Sequence, residues 1–130
     1  MNDEQNKATP PEKPLRILLV EDHHETRETL SNLLTYLGHD VSAARSQRDA
    51  QEILRAKSFD VLLSDLALPD GSGYEVMAQA RHTQTLTGVA LTGFCSDEDI
   101  ALGKQAGFDF HLSKPVDFYE LRNVLRQIGG

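Results

Sequence analysis

The chain has 130 residues, of which 39% are hydrophobic and 25% charged, and its formal net charge is −7. This length predicts one domain, and the composition is ordinary for a globular protein. The negative charge argues against a nucleic-acid-binding surface, which needs clustered basic residues. No apolar stretch has the length of a membrane span or a secretory signal, so we expect a cytoplasmic protein that binds neither membranes nor nucleic acid.

The first 14 residues differ in composition from the rest of the chain. They hold three of the five prolines, several charges and no periodic apolar pattern. Such a segment buries too little apolar surface to offset the entropy lost on ordering. We therefore expect a flexible N-terminal tail over residues 1–14 and one folded domain over residues 15–130.

From Leu15 onward, short apolar runs alternate with amphipathic stretches, a pattern that predicts βα units and a parallel sheet. Strands are predicted over residues 17–20, 41–44, 61–63, 89–91 and 109–113. Helices are predicted over about 25–37, 46–57, 74–82, 96–107 and 118–128. Ser46 and Ser96, each followed three residues later by Asp, resemble capping boxes, and Gly38 and Gly107 stand where helices should end.

Five successive βα units predict an α/β fold of the flavodoxin-like (βα)5 type, with three layers and a parallel five-stranded sheet in the order 2-1-3-4-5. In such sheets ligands bind beyond the carboxyl ends of the strands, where the strand order reverses. For this order the reversal lies between the first and the third strand, so a functional site is expected there.

Charged and polar residues follow four of the predicted strands. Glu21 and Asp22 follow the first strand, Asp65 the third, Thr92 the fourth and Lys114 the fifth. Carboxylates that lie close together repel one another, and a hard divalent cation such as Mg²⁺ relieves that repulsion. A carboxylate can also act as a nucleophile that forms an aspartyl phosphate, while a lysine and a hydroxyl neutralise phosphoryl oxygens. The pattern predicts a phosphoryl-acceptor site.

These residues, in this order, resemble the motifs of the receiver domains of bacterial response regulators and hybrid sensor kinases. The resemblance extends over almost all of residues 15–130. It rests on four segments: Leu18-Leu19-Val20-Glu21-Asp22, Asp65 with Pro69 and Gly73, Leu91-Thr92-Gly93, and Lys114-Pro115.

The resemblance implies a signalling switch rather than an enzyme that turns over a separate substrate. Asp65 would accept a phosphoryl group from a histidine kinase or a histidine-containing phosphotransfer protein, and Thr92 and Lys114 would bind the phosphoryl oxygens. The resemblance also implies a cis peptide bond before Pro115.

A metal site is implied by the same resemblance. Asp22 and Asp65 would bind Mg²⁺ through their carboxylates, Glu21 would act through water, and Ala67 would contribute its backbone carbonyl. Mn²⁺ is an alternative ion for these ligands.

One position departs from the family pattern. His111 stands where the family usually has Tyr or Phe, with Phe110 beside it, and we hypothesise that His111 still rotates on activation. Phe118 and Tyr119, at the start of the last helix, are candidates for a partner-docking face.

The remaining histidines favour no metal site. His23 and His24 are adjacent, which is poor for chelating one ion, and they are expected to be solvated loop residues. His39 and His82 are expected at the surface.

Two other functions compete with the receiver reading. A haloacid-dehalogenase-type phosphatase needs a second acid two residues after the nucleophile, where this chain has Ala67. A receiver-shaped adaptor that is never phosphorylated usually lacks the acceptor Asp, the acidic pair or the Lys, and this chain has all of them. The pattern leaves open a free-standing relay protein or a receiver of a hybrid kinase, and a monomer or a weak dimer.

Overall fold

The computed structural model describes residues 13–93 and 96–129. The predicted tail over residues 1–14 therefore lies almost entirely outside the described residues. Five parallel strands form one sheet: β1 (Arg16–Val20), β2 (Asp40–Ala44), β3 (Val61–Asp65), β4 (Thr87–Thr92) and β5 (Phe108–Ser113). Their order in space is β2-β1-β3-β4-β5, which confirms the predicted flavodoxin-like topology.

Five helices alternate with these strands, and each overlaps a predicted helix. They are α1 (His24–Tyr36), α2 (Gln47–Ala56), α3 (Gly73–Thr83), α4 (Asp97–Ala106) and α5 (Phe118–Gly129). None of the helices within the described part of the chain is long and apolar enough to cross a bilayer.

Side-chain caps and left-handed glycines set the helix ends as the sequence predicts. The hydroxyls of Ser46 and Ser96 each accept the backbone N–H three residues later, at 3.1 Å in both cases. Gly38 and Gly107 have φ angles of 97° and 112°, which favour glycine because a Cβ atom is strained there. These short-range signals explain why the predicted helix limits are close to the observed ones.

The sheet separates two hydrophobic clusters, and successive residues of β1 point into opposite ones. Leu18 and Val20 pack under α2 and α3, whereas Ile17 and Leu19 pack under α1 and α5. Burial on both faces explains why the central strands are continuous apolar runs rather than alternating ones. Because helices cover both faces of the sheet, polar side chains can gather only at its edges, and the carboxyl edge is the one where the predicted site residues lie.

One element was not predicted. Between β3 and α3, residues Ala67–Leu68 pair antiparallel with Gly71–Ser72 and form a short hairpin, where the sequence indicates only an irregular loop. Arms of two residues are too short to leave a periodic pattern, so this hairpin is a product of the tertiary contacts described below.

The prediction that His39 lies at the surface is wrong. Its side chain is buried, with 9% exposed, and Nδ1 accepts a hydrogen bond from the backbone N–H of Leu15 at 3.0 Å. The turn at Gly38 folds the chain back onto the start of β1, a long-range contact that the local sequence does not encode. Burial lowers the pKa of His39 below its ordinary value of 6.5.

This burial predicts a pH dependence of stability. With the folded-state pKa of His39 lowered, its contribution is complete above the unfolded value of 6.5 and is lost as the pH falls through and below that value. The urea-unfolding free energy should therefore decrease between about pH 7.5 and about pH 5.5. His39→Asn, which offers an acceptor that does not titrate, should reduce this decrease, whereas the exposed control His82→Asn should not. An equal decrease in wild type and His39→Asn would contradict the assignment.

Candidate functional site

Three of the predicted carboxylates meet at the carboxyl edge of the sheet. Glu21 and Asp22 directly follow β1, and Asp65 is the last residue of the neighbouring strand β3. One oxygen from each lies within 4.8 Å of the others, with Glu21 and Asp65 buried and Asp22 exposed. Two like charges at such a separation repel by about 4 kcal/mol in a partly buried setting, so the group needs a cation.

Lys114, which directly follows β5, supplies a positive charge to this group. Its Nζ lies 2.8 Å from Glu21 Oε1 and 2.7 Å from Asp65 Oδ2, while its backbone N–H donates to the Thr92 carbonyl at 2.8 Å. Burial of the ammonium lowers its pKa, but the hydrogen bonds that it donates to Asp65 and Glu21, together with the negative charges of these carboxylates, raise the pKa by more, so it is raised overall. The peptide bond between Lys114 and Pro115 is cis, as predicted.

The acidic pair after β1 is tied to the first turn of α1. The second oxygen of Glu21 accepts the His23 N–H at 3.0 Å. Arg27 donates from one guanidinium nitrogen to the backbone carbonyls of Glu21 and Asp22, at 2.9 and 3.2 Å. Arg27 was missed by the sequence analysis, because nothing in its spacing shows that the side chain turns back toward β1.

His23 and His24 are solvent-exposed, as predicted, but the prediction that both are loop residues is wrong for His24, which begins α1. His23 is also the N-cap of α1: its Nδ1 accepts the Thr26 N–H at 3.4 Å and lies 2.9 Å from the Thr26 hydroxyl. His24 lies at the first helical position, where its Nδ1 is 3.2 Å from Arg27. The contacts of both histidines are thus with the first turn of α1.

Close approach of α3 to the end of β3 shapes the loop that follows Asp65. Asp65 Oδ1 accepts the Ala67 N–H at 3.2 Å, and the Gly73 N–H donates to the Leu66 carbonyl at 3.0 Å. A Cβ atom on Gly73 would overlap the backbone oxygen of Asp65 and press on the Ser64 hydroxyl. Glycine at position 73 is therefore required for α3 to begin against the site.

Thr92 lies at the same edge of the sheet. It ends β4 with 8% of its surface exposed, and its neighbour Leu91 is paired in register with Asp65 of β3. Thr92 is paired in turn with Ser113 of β5, one residue before Lys114. The structure thus brings together all the residues that the sequence assigns to phosphoryl chemistry.

His111 of β5 is half-buried and packs beneath α4. A Cβ atom on Gly103 would overlap its Nε2, and the centroids of the Phe108 and His111 rings lie 6.3 Å apart in an edge-on arrangement. Nε2 is buried and has no hydrogen-bond partner among the described residues. Burial lowers the pKa of His111, Lys104 lowers it further, and Asp99 opposes these effects.

The candidate docking residues differ in exposure. Phe118 and Tyr119 are 40% and 72% exposed, and their rings stack with centroids 5.7 Å apart. Asp117 fixes this end of α5 by accepting the N–H groups of Tyr119 and Glu120, at 2.8 and 3.1 Å. Phe110 instead packs partly against the core, so Phe118 and Tyr119 are the two of these three residues that offer exposed aromatic surface.

The family model of the response regulator receiver domain matches residues 17–126. The chain belongs to this family. The match contains every acidic, hydroxyl and lysine side chain of the site just described. The family is that of receiver domains of two-component response regulators, and this membership is consistent with phosphoryl acceptance.

Two curated relatives are similar to most of this chain, and one of them is a response regulator. An uncharacterized 14.6 kDa protein in the sodA1 3′ region of Leptolyngbya boryana is 33% identical over 114 residues, covering 85% of this chain and 87% of the relative. The response regulator protein PilR of Pseudomonas aeruginosa is 37% identical over 112 residues, which cover 85% of this chain and 25% of PilR. The chain thus spans about a quarter of the length of PilR.

A solved structure shares the fold. It is the receiver domain of the response regulator Ssk1 of Saccharomyces cerevisiae, co-crystallised with the histidine phosphotransfer signaling protein Ypd1. The TM-score is 0.84 at 24% sequence identity, with 90% of both chains covered.

The ion pairs of Lys114 predict a cost for removing its charge. In the metal-free protein, Lys114→Met should lower the free energy of unfolding by about 1.5–3 kcal/mol, the usual contribution of hydrogen bonds to charged groups. Urea unfolding in EDTA measures this loss. Lys104→Met removes an exposed lysine of α4 and should change stability far less. Equal losses in the two variants would show that the charge of Lys114 is not needed by the carboxylates.

Proposed function

We propose that this domain is a phosphoryl-accepting switch of a two-component phosphorelay, with Asp65 as the acceptor. The main support is that Lys114 Nζ lies 2.7 Å from Asp65 Oδ2 within a group of three carboxylates. A cation already paired with the attacking carboxylate is placed to balance the charge that a phosphoryl group adds. The proposal includes Mg²⁺ as the ion required for transfer.

The transfer step is a displacement at phosphorus. A carboxylate oxygen of Asp65 attacks the phosphorus of a phosphohistidine, the O–P bond forms, and the P–N bond to the imidazole breaks. The leaving imidazole keeps the electron pair of that bond and takes a proton from solvent. The Thr92 hydroxyl donates a hydrogen bond to one phosphoryl oxygen and the Lys114 ammonium pairs with another, so both stabilise the phosphoryl charge and neither takes part in bond making.

The ligands of this site fit a small hard cation. Mg²⁺ binds through few carboxylates and keeps several waters, and when bound it neutralises phosphoryl oxygens. The Asp22 side chain is exposed and free to turn toward an ion, and Ala67, in the hairpin that follows Asp65, is exposed as well. Glu21 engages Lys114 with one oxygen and the His23 N–H with the other, which favours a role through water. Mn²⁺ would use the same ligands.

The phosphoryl donor is proposed to be a histidine kinase or a histidine-containing phosphotransfer protein. The solved receiver that was co-crystallised with a histidine phosphotransfer protein supports a donor of this kind. Phe118 and Tyr119 are proposed as part of a partner-docking face, since they expose stacked aromatic surface at the start of α5. The response is a change in partner binding and not the turnover of a separate substrate.

The extent of the functional unit is part of the proposal. Leu15 is buried at the start of β1, and α5 extends to Gly129 and packs on the sheet through Leu121 and Leu125. These contacts support a receiver unit that begins at residue 15. The proposal keeps the division predicted from the sequence, with a tail over residues 1–14 and the receiver domain over residues 15–130. A cytoplasmic location follows from the proposed kinase partner.

Phosphorylation from a small donor tests the proposed acceptor. Incubation with Mg²⁺ and acetyl phosphate should add the mass of one phosphoryl group to the intact protein, because the site supplies both nucleophile and charge neutralisation. Asp65→Asn and wild type in EDTA should show no gain. If Asp65→Asn gains the same mass, the acceptor is another residue, and if wild type binds Mg²⁺ but gains nothing, self-catalysed phosphorylation is excluded.

Rotation of His111 on activation is testable in the same reaction. Histidine side-chain resonances of labelled protein should show a shift for His111 when Asp65 is phosphorylated, as its half-buried ring leaves the contact with Gly103. The exposed His82 serves as the internal control, and Asp65→Asn should show no shift. An unchanged His111 resonance in fully phosphorylated protein would contradict rotation.

A further inference from the structure

The first turn of α2 is capped by a residue from a distant loop. Asp70, in the hairpin after β3, accepts the N–H of Gln47 at 2.8 Å with one carboxylate oxygen and that of Arg48 at 3.0 Å with the other. The helix already has a local N-cap, Ser46, which accepts the Asp49 N–H. Asp70 therefore satisfies two further N–H groups and joins the hairpin to α2.

Gln47 makes a second connection between the same two elements. Its side-chain oxygen accepts the N–H of Ser72 at 2.9 Å, so Gln47 bonds both the turn and the second arm of the hairpin. A Cβ atom on Gly71 would overlap the Gln47 amide. Within the described residues the only glycines of positive φ are Gly38 and Gly107, so glycine at 71 is needed for this approach and not for its backbone angles.

The other arm of the hairpin reaches the carboxylate site. Ala67 is paired with Ser72 across the hairpin, and its N–H donates to Asp65 Oδ1 at 3.2 Å. The position of the Ala67 backbone relative to Asp65 is thus set from two sides, by the end of β3 and by the start of α2. Ala67 itself is exposed, so its own side chain adds little to its placement.

We propose that Asp70 and Gln47 are positioning residues that hold the hairpin so that the Ala67 carbonyl faces the metal site. This inference rests on the proposed function, because it deepens the account of the same site. Residues that orient metal ligands typically change metal affinity by about 10–100-fold when mutated. Because coupling between two equilibria is reciprocal, metal binding also stabilises the contact between α2 and the hairpin.

Metal affinity is the first test. Titration with Mg²⁺ by calorimetry, and with Mn²⁺ by electron paramagnetic resonance, should show about tenfold weaker binding in Asp70→Ala and in Gln47→Ala. Neither variant removes a proposed ligand. Two cap variants are controls: Ser46→Ala weakens the same end of α2 without touching the hairpin, and Asp117→Ala uncaps α5. Both should lower stability and keep the wild-type metal affinity.

A mutant cycle tests the geometric claim. Gly71→Ala should weaken metal binding as much as Gln47→Ala, because the added methyl displaces the Gln47 amide. In the Gln47→Ala background, Gly71→Ala should add little further loss, since the displaced group is already gone. Fully additive losses would show that position 71 acts without Gln47.

A metal-free readout completes the test. Hydrogen exchange of the Ser72 and Ala67 amides should be faster in Asp70→Ala and Gln47→Ala than in wild type or Ser46→Ala. Wild-type metal affinity in both Asp70→Ala and Gln47→Ala, or an equal loss of affinity in Ser46→Ala, would overturn the positioning role.

The proposed function and the positioning role can fail separately. If wild type binds Mg²⁺ but Asp65 takes no phosphoryl group, the proposed function fails, and the positioning role is decided by the metal affinities of the variants. If wild type binds neither ion, both are overturned.

Discussion

The Lys114 ammonium lies between two carboxylates that would otherwise repel each other, and this ion-pair group is the constraint on which the rest of the site depends. Glu21 is 1% exposed and Asp65 8% exposed, so neither charge can be screened effectively by solvent. Burying them is tolerable only because Nζ lies within 2.8 Å of both. The group connects the ends of β1, β3 and β5, which are distant in the chain. A charge added at Asp65 must therefore change the electrostatic interactions at the ends of all three strands.

The parallel sheet explains why these charges meet. The five strands of the large sheet are parallel, so the residues that follow them all lie at one edge. Helices cover both faces of this sheet, so the polar residues cannot gather there. Hydrogen bonds from the neighbouring helices then hold the backbone at this edge in position. Arg27 ties the backbone of the acidic pair to α1, and Asp70 with Gln47 ties the hairpin after Asp65 to α2. Two helices that carry no phosphoryl-binding side chain thereby help to set the geometry of the site.

Local signals account for what sequence analysis predicted well. Ser46 and Ser96 cap their helices through the residue three positions later, and Gly107 ends α4 with a left-handed angle, all within a few residues. The errors involve contacts between distant residues. His39 is buried because a turn folds onto β1, and the hairpin forms because α2 holds it 22 to 25 positions away along the chain. No local pattern distinguishes these residues from ordinary surface ones.

By itself, the sequence determined the order of strands and helices, the residue types at the strand ends and the family to which the chain belongs. These follow from local periodicity, from capping and from the motifs in which the site residues stand. Only the tertiary structure decided that Lys114 bonds Glu21 as well as Asp65, that His111 packs on Gly103 and that Asp70 caps a distant helix. Such contacts depend on side-chain direction and on the exact approach of separate elements, and neither is encoded in the spacing of residues along one segment.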